Sequence, residues 1–167
     1  MRRAEKEIKE NQEIAEIMEK AIVCRISLVD GDCPYIVPVN FAVHEHHLYF
    51  HSAMEGKKIA ILRKNNKVCF EIDIDTEIIK SSEPCSWGMK YLSVIGFGQA
   101  FFIEEPNEKK KALDLLMEKY AGTGAFFITK KYLRRFLLLT SELKKYPARN
   151  LTFHETTLSL ILHRKVI

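Results

Sequence analysis

Hydrophobic and polar positions along the chain change from a helical period to a strand period near residue 22. Before that point, over positions 5–20, apolar residues recur three and four places apart, the spacing of an amphipathic helix. These residues, with the one that follows, are Ile14, Ile17, Met18 and Ala21. The pattern predicts an N-terminal helix followed by a region rich in strands.

Between residues 22 and 103, apolar and polar residues mostly alternate, which is typical of half-buried strands. The predicted strands are 22–29, 35–43, 48–51, 68–74 and 91–103. A turn signal at 30–32 separates the first two, and Pro38 places the second at a sheet edge or a bulge. Helices are predicted over 53–66 and from Pro106 to a cap at Gly122. Successive short strands with peripheral helices predict a small, mostly antiparallel barrel.

The end of the chain is less regular than its first two thirds. The last clear strand contains Gly96 and Gly98, which allow the bend or close approach that a barrel corner needs. Beyond Gly124 there is no further glycine, one proline and few acidic residues. Two short strands, 132–139 and 158–162, are candidates there.

Charge is distributed unevenly along the 167 residues. The formal net charge of +4 would suit nucleic acid or an anionic surface. However, residues 1–120 contain 17 Lys and Arg against 20 Asp and Glu, whereas residues 121–167 contain 9 against 2. Because the basic character belongs to the C-terminal quarter alone, we expect no nucleic-acid partner.

The composition, 47% hydrophobic and 29% charged, is that of a globular domain. The charged N-terminus has no apolar secretion segment, and no apolar run approaches the roughly 20 residues of a membrane span. The cysteines lack metal-binding spacing. They are Cys24, Cys33, Cys69 and Cys85. We expect a cytoplasmic protein with reduced thiols, no membrane partner and no metal site.

The segment HSAMEGKK, residues 51–58, is the sharpest candidate for chemistry because it runs from a predicted strand into a predicted helix. Free N–H groups at a helix start attract anions. Ser52 adds a hydroxyl, Gly56 permits close backbone approach, and Lys57 and Lys58 add positive charge. The segment predicts a phosphate-binding site; the alternative is a capped surface helix with two solvated lysines.

Three further groups of residues invite a functional interpretation, and for each we favour a structural one. They are a histidine cluster at a hairpin (His44, His46 and His47), an acidic face of one strand (Glu71, Asp73 and Asp75) and an aromatic group (Trp87, Tyr91 and Phe97). The first two could bind a cation and the third a planar ligand. We expect instead a polar turn, a solvated strand face and core packing. Signatures of nucleotide-binding loops, serine hydrolases and zinc proteases do not occur.

Several stretches, taken in order, resemble the flavin-binding split barrels related to pyridoxamine 5'-phosphate oxidase, in particular the branch named for 5-nitroimidazole resistance. After the N-terminal helix they are GDCPYIVPVNF (31–41), LYFHSAMEGKK (48–58), NNKVCFEID (65–73), PCSWGMKYLSVIGFGQA (84–100) and the LLMEKY helix. They cover roughly residues 1–120. The resemblance implies a mainly β (α+β) fold: a six-stranded antiparallel Greek-key split β-barrel with flanking helices.

The resemblance also implies a homodimer with FMN bound at the subunit interface. One strand would lie along the flavin ring, the 51–58 segment would hold the phosphate and ribityl chain, and two residues of a later strand would reach the flavin, across the dimer. The implied cofactor-binding residues are Tyr35, Val37, Pro38, Val39, Asn40, His51, Ser52, Lys57, Lys58, Tyr91 and Ser93. Trp87 would pack nearby. His51 is the candidate catalytic proton donor, because an imidazole titrates near neutral pH.

The function that follows from the resemblance is that of an FMN-dependent oxidoreductase. A flavin takes a hydride from a donor such as NADH or NADPH and passes electrons on, here to a small acceptor such as a nitroaromatic. One alternative is a flavin-binding or redox-sensing module without turnover. Another is a split barrel that binds haem or a deazaflavin, in which case residues 44–47 or His51 would supply the haem ligand.

The C-terminal segment departs from the family pattern. We divide the chain into a split-barrel core, residues 1–125, and an atypical segment, residues 126–167, that supplies a candidate closing strand to the same domain. The sudden loss of acidic residues and glycine suggests a shifted reading frame near residues 123–140. Sequencing of the gene would remove this hypothesis if no family-like frame lies downstream.

Overall fold

The computed structural model of the chain describes residue 8, residues 10–122 and, as backbone, residues 137–144 and 161–164. In chain order the elements are α1 (Asn11–Lys20), β1 (Cys24–Asp30), β2 (Cys33–Val39), β3 (Phe41–His44), β4 (His47–Ser52), α2 (Lys57–Lys64), β5 (Lys67–Ile79), a 3-10 turn (Pro84–Ser86), β6 (Gly88–Ile103), α3 (Pro106–Ala121), β7 (Leu137–Lys144) and β8 (Ile161–Arg164). Among the described helices, none is both long and apolar enough to cross a membrane.

The strands form one antiparallel sheet in the order β2-β1-β5-β6-β7-β4-β3, with β8 beside β6. The two ends of this order, β2 and β3, are consecutive parts of one chain segment that only Asn40 interrupts. The sheet therefore closes into a barrel of six strands when β2 and β3 are counted as one, and β8 is added outside that ring. This confirms the predicted antiparallel split barrel with flanking helices.

The hairpin of β1 and β2 leaves the outer edge of β2 without a partner among the described strands. Asp30 and Cys33 flank the turn of this hairpin and form its first pair. In a two-residue turn this first pair is joined by backbone hydrogen bonds. In an antiparallel ladder, pairs with and without such hydrogen bonds then alternate along the two strands. By this alternation Pro34, Ile36 and Pro38 direct their backbone groups away from β1. The two prolines thus stand where their missing N–H groups cost no ladder hydrogen bond, as predicted for Pro38.

The barrel interior is filled by the inward faces of the strands and by the apolar sides of α1 and α2. Fully buried side chains include Ile17, Ile26, Leu28, Phe41, Leu48, Phe50, Phe70, Ile72 and Val94. Tyr35, Val37 and Val39 face this core from β2, as the alternation predicts. Helix α3 covers a smaller cluster with Ala112 and Leu116.

The predicted elements are confirmed in type, and they differ mainly in their ends. The structure breaks the predicted strand 35–43 at Asn40, begins the second helix at Lys57 rather than 53, and extends β5 to Ile79. Strand β7 lies between β4 and β6, the place of a closing strand. Residues 1–7, 9, 123–136, 145–160 and 165–167 lie outside the described residues. They include the start of the predicted first helix and most of the segment for which we predict a changed frame.

The C-terminal end of α3 is tied to the barrel by two side chains. The Tyr120 hydroxyl accepts a hydrogen bond from the Phe41 amide and donates one to the Ile22 carbonyl, each at 2.9 Å. Lys119 donates to the Met18 carbonyl at 2.6 Å, with its ammonium 3.9 Å from the centre of the Phe41 ring. Burial lowers the pKa of Lys119. These contacts join α3, β3 and the end of α1.

Replacing Tyr120 by phenylalanine tests this junction. The change removes one hydroxyl and leaves the fully buried Phe41 amide without its partner. We expect the free energy of unfolding to fall by about 1–2 kcal/mol, measured by urea denaturation. Lys110→Gln, which removes an exposed ion pair with Asp114 in the same helix, is the control and should change stability by less than about 0.5 kcal/mol. Equal effects of the two changes would contradict the junction.

Candidate functional site

The junction between β4 and α2 brings the sequence-predicted phosphate residues to one place. His51 and Ser52 end β4, and α2 begins four residues later at Lys57. Gly56, directly before the helix, has a φ of 123°, a conformation that side chains with a Cβ rarely adopt. No side chain within the described part of the chain caps α2, which leaves the first N–H groups of the helix available to a ligand. We call His51, Ser52, Gly56, Lys57 and Lys58 the cradle.

The charges of the cradle oppose the helix dipole. The first turn of α2 contains two lysines and no acidic residue, although a helix N-terminus favours negative charge. Burial lowers the pKa of Lys58. Burial, and to a lesser degree the charge of Lys58, lowers the pKa of His51. The two lysines and the uncapped start of the helix describe a positively charged site that an anion would stabilise.

Lys57 connects the cradle to the β1–β2 hairpin. Its ammonium lies 3.5 Å from the Asp30 carboxylate and 4.9 Å from the centre of the Tyr35 ring. The Lys58 ammonium lies 5.7 Å from the centre of the Phe50 ring. Sequence reasoning missed Asp30, because its contact with Lys57 joins two elements separated by three strands.

Ser52 is a buried polar residue at the base of the cradle. Its exposure is 7%, and no hydrogen bond joins its hydroxyl to another described residue. Since buried hydroxyl groups normally have a partner, Ser52 has spare capacity to bind a ligand atom. A phosphate fits this donor set, which combines helix N–H groups, a hydroxyl and two ammonium groups.

The outer edge of β2 lies beside the cradle, since Tyr35 is in contact with Lys57. Ile36 directs both its N–H and its carbonyl outward, whereas Pro34 and Pro38 direct only carbonyl groups outward, and Asn40 is exposed. This edge offers hydrogen-bond donors and acceptors to the polar rim of a flat ligand. Val37 and Val39 instead direct their backbone groups to β1 and their side chains to the core.

Tyr91 and Ser93 do not join the cradle within one chain. They lie on β6, where they line a separate cavity of about 340 Å³ with residues of β5. The full lining is Glu71, Asp73, Thr76, Met89, Tyr91, Ser93 and Ile95. We call this cavity the β5–β6 groove.

The acidic face predicted for β5 is wrong in one position. Glu71 and Asp73 line the groove, but the register of β5 and β6 shifts between Ile74 and Glu77, and Asp75 has a φ of 54°. This bulge changes which side chains face the groove, so that Thr76 lines it and Asp75 does not. Arg25 of β1 contacts both remaining carboxylates, at 3.0 Å from Glu71 and 2.5 Å from Asp73.

The remaining candidate groups are the histidine cluster, Trp87 and the cysteines, and none of them forms a further site among the described residues. His44, His46 and His47 surround an exposed hairpin turn, and no group of three metal-ligating side chains occurs within the described residues. Core packing is the wrong expectation for Trp87, whose exposure is 48%. Each of the four cysteines is a free thiol, and burial raises the pKa of Cys24 to about 12.

Fold and site together describe an antiparallel split barrel with two lysines at the uncapped start of α2. The family model for pyridoxamine 5'-phosphate oxidase matches residues 10–149, which is most of the chain. The chain therefore belongs to the pyridoxamine 5'-phosphate oxidase family, as the resemblance of its motifs implies. No curated protein matches the chain significantly.

Solved structures give the same result. The chain is similar to a candidate 5-nitroimidazole antibiotic resistance protein from Bacteroides thetaiotaomicron, with 31% identity over 82% of this chain and 81% of that one, and a TM-score of 0.74. It also shares its fold with a flavocytochrome from Azotobacter vinelandii (10% identity, 99% and 72% coverage, TM-score 0.75). A third relative in fold is an FAD- and haem-binding protein from Mycobacterium smegmatis (18% identity, 81% and 67% coverage, TM-score 0.72).

Proposed function

We propose that this chain is an FMN-binding flavoprotein that passes electrons from a reduced nicotinamide to a small acceptor such as a nitroaromatic. The observation that carries the proposal is the cradle, where uncapped helix N–H groups, a buried hydroxyl and two lysines lie in one short segment. Lys57 pairs with Asp30, whereas no salt bridge joins Lys58 to another described residue. Family membership and the flavin-binding proteins among its structural relatives support the proposal that the cradle binds the phosphate group of a flavin cofactor.

The residues of the chain divide the work of binding. Lys57, Lys58 and Ser52 would hold the phosphate, and Gly56 lets the phosphate approach the backbone. The outward backbone groups of Ile36 and Pro38 on β2, together with Asn40, would meet the polar rim of the flavin ring. The bound flavin would supply hydride and electron transfer, while the protein positions it and keeps water away.

His51 is the proposed proton donor beside the cofactor. Burial, and to a lesser degree the charge of Lys58, lowers the pKa of His51 and so disfavours the protonated ring that would donate the proton. An anion in the cradle would oppose the charge of Lys58 and raise the pKa of His51 toward neutrality. A His51→Ala variant that binds FMN and turns over at the normal rate would remove this role.

We further propose a homodimer in which the β5–β6 groove of one copy faces the cradle of the other. Tyr91 and Ser93 match family positions that reach the flavin, yet they lie apart from the cradle in a single chain. Two copies would bring them together. Light scattering after size exclusion should give twice the 19.4 kDa of one chain; a monomer that binds FMN fully would contradict the shared site.

The absorption spectrum of the purified protein tests the cofactor directly. We expect flavin bands after incubation with FMN, and steady consumption of NADH or NADPH when a nitroaromatic or quinone acceptor is added. Flavin bands without nicotinamide consumption would favour a binding or sensing module. A haem Soret band, or no uptake of flavin, would overturn the proposal.

A further inference from the structure

The two lysines of the cradle have different neighbours. The Lys57 ammonium lies 3.5 Å from the Asp30 carboxylate and 4.9 Å from the centre of the Tyr35 ring, and both groups belong to the β1–β2 hairpin. The Lys58 ammonium forms no salt bridge within the described part of the chain, and the centre of the Phe50 ring lies 5.7 Å away. An anion that enters the cradle therefore finds Lys58 without an acidic partner and Lys57 already paired.

The turn of the β1–β2 hairpin fixes the place of Asp30. Asp30 is the last residue of β1 and pairs with Cys33 across a turn in which Gly31 has a φ of 68°, in the left-handed region that favours glycine. The side chains of Asp30 and Lys57 are 38% and 57% exposed. Since ion pairs this exposed contribute little to stability, we expect the contact to matter for the binding of anions rather than for folding.

Asp30 supplies a negative charge that the start of α2 lacks. The first turn of this helix contains two lysines and no acidic residue. The helix dipole and the lysines both favour an anion at such a position. In the free protein the Asp30 carboxylate contacts Lys57 from a separate element. The chain thus has an internal counter-ion beside the site where the phosphate of a ligand would bind.

A phosphate in the cradle and the Asp30 carboxylate would compete for Lys57. Both groups are negatively charged, and like charges a few ångströms apart repel each other. A phosphate that contacts Lys57 would therefore weaken the ion pair between Lys57 and Asp30. Lys58 has no such acidic competitor among the described residues, so its charge is fully available to the ligand.

We propose that Asp30 is a specificity-determining residue of the cradle. It competes with the phosphate of a ligand for Lys57, and so lowers the preference of the cradle for phosphorylated over unphosphorylated ligands. This role of Asp30 rests on the proposed function, in which the cradle binds the phosphate of FMN. On binding, Lys57 exchanges its ion pair with Asp30 for a contact with the phosphate, and this exchange keeps the cofactor from binding as tightly as two unpaired lysines would allow.

Two flavins separate the phosphate from the rest of the cofactor. Riboflavin has the ring and ribityl chain of FMN without the phosphate, so the ratio of the two dissociation constants, measured by flavin fluorescence, gives the contribution of the phosphate. Asp30→Asn removes the charge and keeps the size of the side chain. We expect this variant to bind FMN about three- to fivefold tighter, in keeping with the loss of one exposed ion pair, and riboflavin with unchanged affinity. Added salt should reduce the gain.

Two further variants locate the effect in the ion pair. Asp32→Asn removes an exposed carboxylate from the same turn, one that forms no salt bridge with another described residue. It should change the affinity for FMN by less than about twofold, because the solvent screens a charge that does not touch Lys57. In a protein that already carries Lys57→Gln, Asp30→Asn should lose most of its effect, because Asp30 then has no lysine to occupy.

Inorganic phosphate tests the same competition without a flavin. It should bind Asp30→Asn severalfold tighter than the unaltered protein, as the ring proton shifts of His51 report. In the unaltered protein the same titration should shift the NMR signal of the Asp30 carboxyl carbon more than that of Asp32, because Asp30 loses its ion pair. This measurement needs no variant to fold.

The role of Asp30 is wrong if Asp30→Asn binds FMN and phosphate no more tightly, if Asp32→Asn has the same effect, or if the full gain persists without Lys57. The two proposals can fail separately. Tighter phosphate binding by Asp30→Asn in a protein that takes up no FMN would defeat the proposed function and support the role of Asp30. Uptake of FMN with consumption of nicotinamide, but no response to Asp30→Asn, would support the function and defeat the role of Asp30.

Discussion

Replacing Gly96 by alanine is expected to destabilise the barrel by about 3 kcal/mol or more. Gly96 on β6 stands directly opposite Phe70 on β5, and a Cβ at position 96 would overlap the edge of the Phe70 ring. Phe70 is 2% exposed, and because protein interiors are closely packed, moving its ring would disturb the neighbouring core side chains. Chemical denaturation followed by circular dichroism measures the loss.

A double-mutant cycle separates this clash from a general weakness of β6. Phe70→Leu alone leaves a small cavity and should cost about 1–2 kcal/mol. Combined with Gly96→Ala, the added methyl group would occupy part of that cavity, so the double variant should be clearly more stable than the sum of the two changes implies. Additive losses would show that the ring and the glycine do not constrain each other.

Gly96 also illustrates how much of the fold the sequence contains. Its place in a strand indicates a close approach of some kind, and alternation predicts which face of each strand is buried. The identity of the approaching group, Phe70, follows from the pairing of β5 with β6, which joins residues 26 positions apart. Strand pairing is a property of the closed barrel and not of any short window.

Asp75 shows the same limit at a smaller scale. The alternation of Glu71, Asp73 and Asp75 predicts one acidic face, but the left-handed conformation of Asp75 breaks the period. Aspartate tolerates this conformation better than most residues. Nothing in the neighbouring sequence marks the bulge, because it is set by how β5 curves against β6.

In the candidate site, too, local sequence predicts some features, whereas contacts between distant elements cannot be predicted from it. The cradle could be predicted because one segment of eight residues carries the strand end, the glycine and both lysines, so local pattern is enough. The partners that hold those side chains come from distant elements. Asp30 reaches Lys57 from the β1–β2 hairpin, and Arg25 reaches Glu71 and Asp73 across β1 and β5.

Lys58→Gln is the change with the largest expected effect on the cradle. It removes a half-buried ammonium beside the open N-terminus of α2 while keeping a side chain of similar length. A charge-assisted contact with a phosphate is strong enough that FMN should bind roughly tenfold to a hundredfold more weakly. Fluorescence quenching of the flavin on titration gives the dissociation constant.

His51 supplies a readout that needs no cofactor. In the free protein the positive charge of Lys58 contributes to the lowered pKa of His51, so Lys58→Gln should raise that pKa, although burial still holds it below the ordinary value. Inorganic phosphate should raise it as well in the unaltered protein, because an anion stabilises the imidazolium. The ring proton shifts of His51 in an NMR pH titration report both changes.

Lys64→Gln is the matched control, since Lys64 is exposed at the opposite end of the same helix, where a positive charge suits the dipole. It should leave both the FMN affinity and the pKa of His51 unchanged. Equal losses of FMN affinity in the two variants would mean that net charge, and not the cradle, attracts the cofactor. If neither Lys58→Gln nor added phosphate changes the pKa of His51, the histidine and the lysine do not share a site. The proposed anion-binding role of the cradle would then be wrong.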